Sequence, residues 1–222
     1  LLTDDKILGA VIKLGKNFSN ISLLSNEKII AGSACTDKQV SDFAMENNIG
    51  GLEFLSCIPG TIGGGLRMNS GCFGTEFKDI LLSVQALDKK GNMLTIPSNK
   101  INFGYRYSGL DRNLIFLSAS LKGKHKAKNK IKEEIIFLKD KKSKSQPTKI
   151  KTGGSTFKNP INQTKEKVWE LIKKSVPIDI KFGDAKISDK HCNFFVNSNN
   201  ATFKDMKSKT GIEIETEIEI IN

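Results

Sequence analysis

Short apolar runs divided by polar turns fill the first third of the chain. "ILGAVIKL" at 7–14, "ISLLS" at 21–25 and "KIIAGSA" at 28–34 predict three short strands. In "TDKQVSDFAMENN" the spacing changes: Val40, Phe43 and Ala44 recur at helical intervals behind Thr36, an N-cap residue, so a helix is expected through about Asn48. From Ile80 the period of two returns. "LLSVQALD", a turn at "KKGN" and "MLTIP" predict a hairpin, and "NLIFLSASLKG" another strand. A lysine-rich helix is expected from about Lys126 to Lys142, a second helix in "KEKVWELIKKS" and a strand in "HCNFFVNSNNAT". The chain closes on "GIEIETEIEIIN", which alternates Ile212, Ile214, Ile218 and Ile220 with Glu213, Glu215, Glu217 and Glu219. Strands and helices mixed in this way, without repeats, predict an α+β fold.

One stretch has no such period. "IPGTIGGGLRMNSGCFG", Ile58 to Gly74, holds six of the chain's 19 glycines in 17 positions and no acidic residue. Bare backbone of this kind can turn its amides to phosphate oxygens, or can allow tight turns and close packing, and both readings stand at this point. A short helical turn fits within "GGGLRMNSG". Two familiar phosphate motifs are excluded: G-x-x-x-x-G-K-[ST] does not occur, and "GTIGGG" lacks the strand and the acidic residue of a dinucleotide fingerprint.

The formal charge of +11 comes from 35 basic and 24 acidic residues. Much of it lies in "LKGKHKAKNKIKEEIIFLKDKKSKSQPTKIK", which reads as a solvated lysine face. Arginine is confined to Arg67, Arg106 and Arg112, and Phe137 is the one Phe, Trp or Tyr in that segment, so a nucleic-acid-binding module is supported by charge alone. Cys35, Cys57, Cys72 and Cys192 form no C-x-x-C pair and have no histidine at ligand spacing, so free thiols and no metal are expected. No apolar run approaches a membrane span and no signal peptide is recognisable, which makes the cytoplasm the expected compartment. In "FGYRYSG" Arg106 could pair with a carboxylate beside Tyr105. In "GGSTFKNP" the Ser155 hydroxyl follows two glycines and precedes Lys158 and Asn159.

In order and wording, "GLEFLSCIPGTIGGGLRMNSGCFG", "FGYRYS", "SQPTKIKTGGSTFKNP", "GDAKISDKHCNFFVNSNNAT" and "GIEIETEIEI" resemble the motifs of the UDP-N-acetylenolpyruvoylglucosamine reductases (MurB). These flavoenzymes complete UDP-N-acetylmuramate for bacterial peptidoglycan. The resemblance implies the remainder of a flavin-binding α+β domain of the vanillyl-alcohol-oxidase (PCMH) type plus a C-terminal α+β substrate domain. It divides the chain into 1–78, the C-terminal part of the FAD-binding domain; 79–120, the hairpin and strands that complete it and carry Tyr105-Arg106; and 121–222, the substrate-binding domain. It implies FAD as cofactor, NADPH as hydride donor, UDP-N-acetylglucosamine enolpyruvate as substrate, and a monomer with no nucleic-acid or membrane partner.

Carried over residue by residue, the resemblance assigns FAD to Pro59, Gly60, Thr61, Ile62, Gly63 and Gly64, with Asn69, Gly71 and Gly74 in the following turn. Ser155 becomes the proton donor. Arg106 and Glu217 become the pair at the enolpyruvyl carboxylate, and Tyr105, Lys158 and Asn159 lie near the substrate. The 49 positions from Arg106 to Ser155 resemble the type II form. Two departures are expected to matter: the chain begins after the family's first phosphate loop, and "KSKT" replaces a full helix before Gly211, which bears on the placement of Glu217. A catalytically impaired remnant of the family is therefore the alternative reading.

Overall fold

Strands β1 (Ile21–Ser25) and β2 (Lys28–Gly32) fold back on each other as an antiparallel pair in the computed structural model, which describes residues 11–147 and 150–202. Residues 11–14 carry no regular structure, so that part of the expected first strand is absent; residues 7–10 and the alternating segment after Gly211 lie outside the described residues. Helix α1 (Asp37–Glu46) starts where the sequence places it. The Thr36 hydroxyl accepts the Gln39 N–H at 3.2 Å and the Gln39 side chain accepts the Thr36 N–H at 2.8 Å, which satisfies two donors that a helix start otherwise leaves open.

Next come strand β3 (Ile49–Gly50), helix α2 (Ile62–Arg67), the strands β4 (Gly71–Cys72) and β5 (Thr75–Glu76), and the single turn α3 (Phe77–Ile80). Strands β6 (Leu81–Leu87) and β7 (Met93–Pro97) form the expected hairpin, followed by β8 (Ile115–Lys122), β9 (Lys124–His125) and helix α4 (Lys128–Ser145). Among the described residues the main sheet has five strands in the order β1-β2-β8-β6-β7, all antiparallel.

Irregularities in the β6–β8 pairing, between Leu81 and Ser83 and between Gln85 and Ala86, reset the alternation. This is why Leu81, Val84 and Ala86 on β6, and Phe116, Ala119 and Leu121 on β8, all reach the core. There they meet Phe77, whose ring stands edge-on to Phe54 at 6.5 Å. Helix α4 buries Ile131, Ile135 and Leu138, spaced four and three apart, and turns its lysines outward, as a solvated face requires.

Residues Ile12–Lys142 make one compact unit, and the boundary of the second falls at Ser143, in the last turn of α4. The second unit contains strand β10 (Thr152–Ser155), helix α5 (Val168–Ser175) and strands β11 (Lys181–Phe182), β12 (Ala185–Ile187) and β13 (Phe194–Asn197). Its sheet runs β10-β13-β12-β11 among the described residues, and α5 contributes Val168 and Ile172 to a core with Phe157, Ile187 and Phe195.

Candidate functional site

The glycine-rich segment begins by pairing with the start of α1. Asp37 N–H donates to Gly60 O at 3.1 Å and Ile62 N–H to Cys35 O at 2.9 Å, which sets Thr36 beside Thr61 and brings two helix starts together. Each has a threonine cap; the Thr61 hydroxyl accepts the Gly64 N–H at 3.4 Å. Gly63 N–H donates to Ser33 O at 2.9 Å. The amides of Ile62, Gly63 and Gly64 are thus engaged by protein acceptors, while the Thr61 amide has none among the described residues.

The reason for glycine differs along the run. A Cβ on Gly63 would lie 3.0 Å from Ser33 Cβ, and one on Gly65 would lie 2.3 Å from the Phe77 ring, so both positions serve close packing of α2. A Cβ on Gly64 would meet only the Thr61 hydroxyl, at 3.6 Å, and one on Gly74 would meet nothing within 4 Å. Pro59, Gly60, Thr61, Gly64 and Gly74 are exposed and form the bare part of the surface.

Asn69 closes α2 at φ 41°, fully buried. Its amide nitrogen donates to Glu76 Oε2 and Gly104 O, each at 3.0 Å, and its Oδ1 accepts the Lys78 N–H at 3.0 Å. Both amide hydrogens are used, so Asn69 ties the end of α2 to α3 and to the turn that carries Arg106. Gly71 is required by the hairpin itself, because a Cβ there would stand 2.6 Å from Thr75 O. The β4–β5 turn places Phe73 at φ 53° and Gly74 at φ 93°, the two positive values that a tight two-residue hairpin needs.

Tyr105 and Arg106 occupy the turn between Gly104 and Tyr107, which bond to each other in both directions at 2.8 and 3.2 Å. Arg106 adopts φ 54°, a costly conformation for an arginine, with its guanidinium 5.1 Å from the Tyr105 ring centroid. Arg67, which sequence reasoning left without a role, clamps the adjoining loop. Its guanidinium donates to the carbonyls of Leu110, Asp111 and Leu114 and lies 4.1 Å over the Phe116 ring.

Asp37 was also missed. Its carboxylate is fully buried with no hydrogen-bond partner among the described residues, and so is the Ser41 hydroxyl one turn further along α1. Burial pushes the Asp37 pKa up to about 7.

In the second unit Ser155 is half-buried at the end of β10. Thr152 pairs with Val196 and Ser155 with Phe194, so β10 carries one extra residue, and Gly154 takes it up at φ 92°. Just beyond, Asn193 holds the backbone. Its Oδ1 accepts the Phe157 N–H at 2.9 Å, its Nδ2 donates to Phe157 O at 2.8 Å, and its carbonyl accepts the Thr156 N–H at 2.8 Å. Nothing in the local pattern of "HCNFF" singles Asn193 out, because its partner is 36 residues away. The Thr156 hydroxyl is buried without a partner among the described residues. Asn159 Oδ1 accepts the Val168 N–H at 3.0 Å and so orders the start of α5, and Lys158 is half-buried beside it. His191 sits between Trp169 and Phe194, and burial lowers its pKa. Glu217 lies outside the described residues.

Comparison with known proteins brings these features into one frame. The family model described as UDP-N-acetylenolpyruvoylglucosamine reductase, C-terminal domain, matches residues 146–221, and the FAD binding domain model matches residues 2–97. A UDP-N-acetylenolpyruvoylglucosamine reductase of Pelagibacter ubique is 62% identical to this chain, covering all of it and 77% of the relative. A reductase of the same name from Rickettsia conorii is 41% identical over the same shares. The crystal structure of UDP-N-acetylenolpyruvylglucosamine reductase from Thermus caldophilus superposes with a TM-score of 0.85 at 28% identity, covering 97% of this chain and 79% of that one. This chain belongs to the UDP-N-acetylenolpyruvoylglucosamine reductase family and is a flavin-dependent oxidoreductase with an FAD-binding domain.

Proposed function

We propose that the protein reduces UDP-N-acetylglucosamine enolpyruvate to UDP-N-acetylmuramate with NADPH, as a cytoplasmic monomer in bacterial peptidoglycan synthesis. The observation that carries this reading is the Arg106 turn, held at positive φ and tied by Asn69 to the glycine-rich segment of the same compact unit. An arginine kept in a costly conformation is preorganised for a ligand.

The residues fit FAD. Gly64 and Gly74 offer exposed backbone with room at the Cβ position, and the exposed Thr61 has an amide with no protein acceptor among the described residues. Pro59, Gly60, Thr61 and Gly64 would line the cofactor directly, with Gly74 beside them. Ile62, Gly63, Asn69 and Gly71 would support that surface by their packing and hydrogen bonds. When bound, FAD supplies hydride transfer from NADPH to the β-carbon of the enol ether.

The side chains handle charge and the proton. The Arg106 guanidinium pairs with the substrate carboxylate and stabilises the negative charge that grows there as the β-carbon is reduced; Glu217, as the neutral acid, shares this task by donating a hydrogen bond. The Ser155 O–H bond then breaks as a C–H bond forms at the α-carbon. Serine is a weak acid, so the cation of Lys158, three residues on, supports the alkoxide until it regains a proton. Tyr105 and Asn159 position the substrate. In this division the part through residue 120 serves the flavin and also carries Tyr105 and Arg106, and the part from 121 binds the substrate.

The test separates the two half-reactions. Ser155→Ala should leave bleaching of the flavin by NADPH intact and lower substrate reduction by about 10²- to 10⁴-fold. Loss of both half-reactions would remove Ser155 from the proton-donor role.

A further inference from the structure

Two of the four cysteines meet beside the glycine-rich segment, and the mechanism above uses neither. Cys57 ends the short helical turn Glu53–Cys57, immediately before Ile58 and Pro59. Cys72 ends β4, which packs directly against that turn. This packing sets the two cysteines on adjoining backbone, and each is the largest influence on the other's titration, Cys72 lowering the pKa of Cys57 and Cys57 raising that of Cys72. Cys57 is 5% exposed, whereas Cys72 is half-buried and opens the pair to solvent.

We propose that Cys57 and Cys72 form a peroxide-reactive dithiol, a modification site in which Cys57 is oxidised first and Cys72 closes a disulfide. The charges around it suit a thiolate. Cys72 as donor is the largest influence on Cys57, followed among the favourable ones by the Ser56 hydroxyl at 3.8 Å and the cations Lys142 and Lys139; Lys142 also donates to Cys57 O. Arg106 lies on the Cys72 side. The first proton leaves below the usual thiol range, and the one that remains on Cys72 is held well above it. The other thiols lack this setting. Cys35 is fully buried, donates to Asn20 O at 3.5 Å and has its pKa raised by burial, and Cys192 is buried in the core of the second unit.

The chemistry balances with hydrogen peroxide as oxidant. The Cys57 thiolate attacks one peroxide oxygen, the O–O bond breaks, and the departing hydroxide takes a proton to leave as water. Cys72 sulfur then attacks the sulfenic acid, an S–S bond replaces the S–O bond, and the Cys72 proton leaves with the hydroxide as a second water. Two electrons pass from the sulfur pair to peroxide. Peroxide is small enough for a thiol this enclosed, and a thiol reductant reverses the reaction. The disulfide would tie the entry of the Pro59–Gly64 loop to the Phe73–Gly74 hairpin, a consequence for flavin that rests on the function proposed above.

The experiment reads thiols and needs neither flavin nor turnover. The full chain, reduced and desalted, is treated with stoichiometric hydrogen peroxide at pH 7, alkylated and mapped by peptide mass. The Cys57 and Cys72 peptides should appear joined, lighter by two hydrogen atoms than their sum and separable by dithiothreitol, with Cys35 and Cys192 alkylated. The pair should be lost about 10-fold or more faster than the other two thiols. In Cys72→Ser, dimedone should trap Cys57 as its sulfenic acid. Equal alkylation of all four cysteines, or a joined peptide containing Cys35 or Cys192 instead, overturns the proposal, and wild-type mapping alone decides it if the variant does not fold.

Discussion

Asn69 and Asp37 are both fully buried and hold opposite ends of the same glycine-rich segment, yet their polar atoms are used in contrary ways. At the exit, Asn69 satisfies three backbone or carboxylate groups from separate stretches of chain. At the entry, the Asp37 backbone holds Gly60, but its carboxylate has no partner among the described residues, and a Cβ on Gly60 would come within 3.0 Å of it. The exit is a rigid scaffold for Arg106. The entry carries an uncompensated cost that depends on whether Asp37 is protonated.

The largest effect is expected at the exit. Asn69→Ala leaves three groups without their partner and puts alanine at φ 41°, so stability should fall by about 3–5 kcal/mol in urea unfolding. A loss below about 1 kcal/mol would mean that water replaces the amide and that the exit is no scaffold.

At the entry the effect is one of pH. The Asp37 pKa rises from 3.8 to about 7 on folding, so between those values the unfolded chain releases a proton that the folded chain keeps. Stability from this group is complete below about pH 4, falls as pH rises through 7 and is flat beyond, by about 4 kcal/mol at most. Asp37→Asn should flatten that slope in unfolding midpoints measured from pH 4 to pH 8. An unchanged slope would assign the pH dependence elsewhere.

Arg106→Gly relieves the positive φ while removing the guanidinium. It should move stability by less than about 1 kcal/mol while kcat/KM collapses, so that scaffold and ligand roles separate. The smallest effect belongs to the lysine helix. Lys130→Gln removes an exposed pair with Glu133 and should stay within about 0.5 kcal/mol.

Much of the fold is legible in the sequence because its signals are local. The Thr36 capping box, the β6–β7 hairpin and the outward lysines of α4 follow from spacing within a few residues. The site residues are legible through resemblance, as a set of motifs in order. Their physical roles are less so: Gly63 and Gly65 look alike in "IGGG", yet one meets Ser33 and the other the Phe77 ring. The bulge at Gly154 hides in a run that reads only as flexible backbone.

Residue order and hydrophobic period by themselves determined the α+β character, the main strands and helices, the family, and the residues to question. Tertiary structure alone decided that Asn69 is a scaffold, that Asp37 is buried without a partner among the described residues, and that the turn ending in Cys57 packs against the strand ending in Cys72. The reason is that period and capping act over one or two turns of chain, whereas burial and hydrogen-bond pairing depend on which distant segments fill the same space.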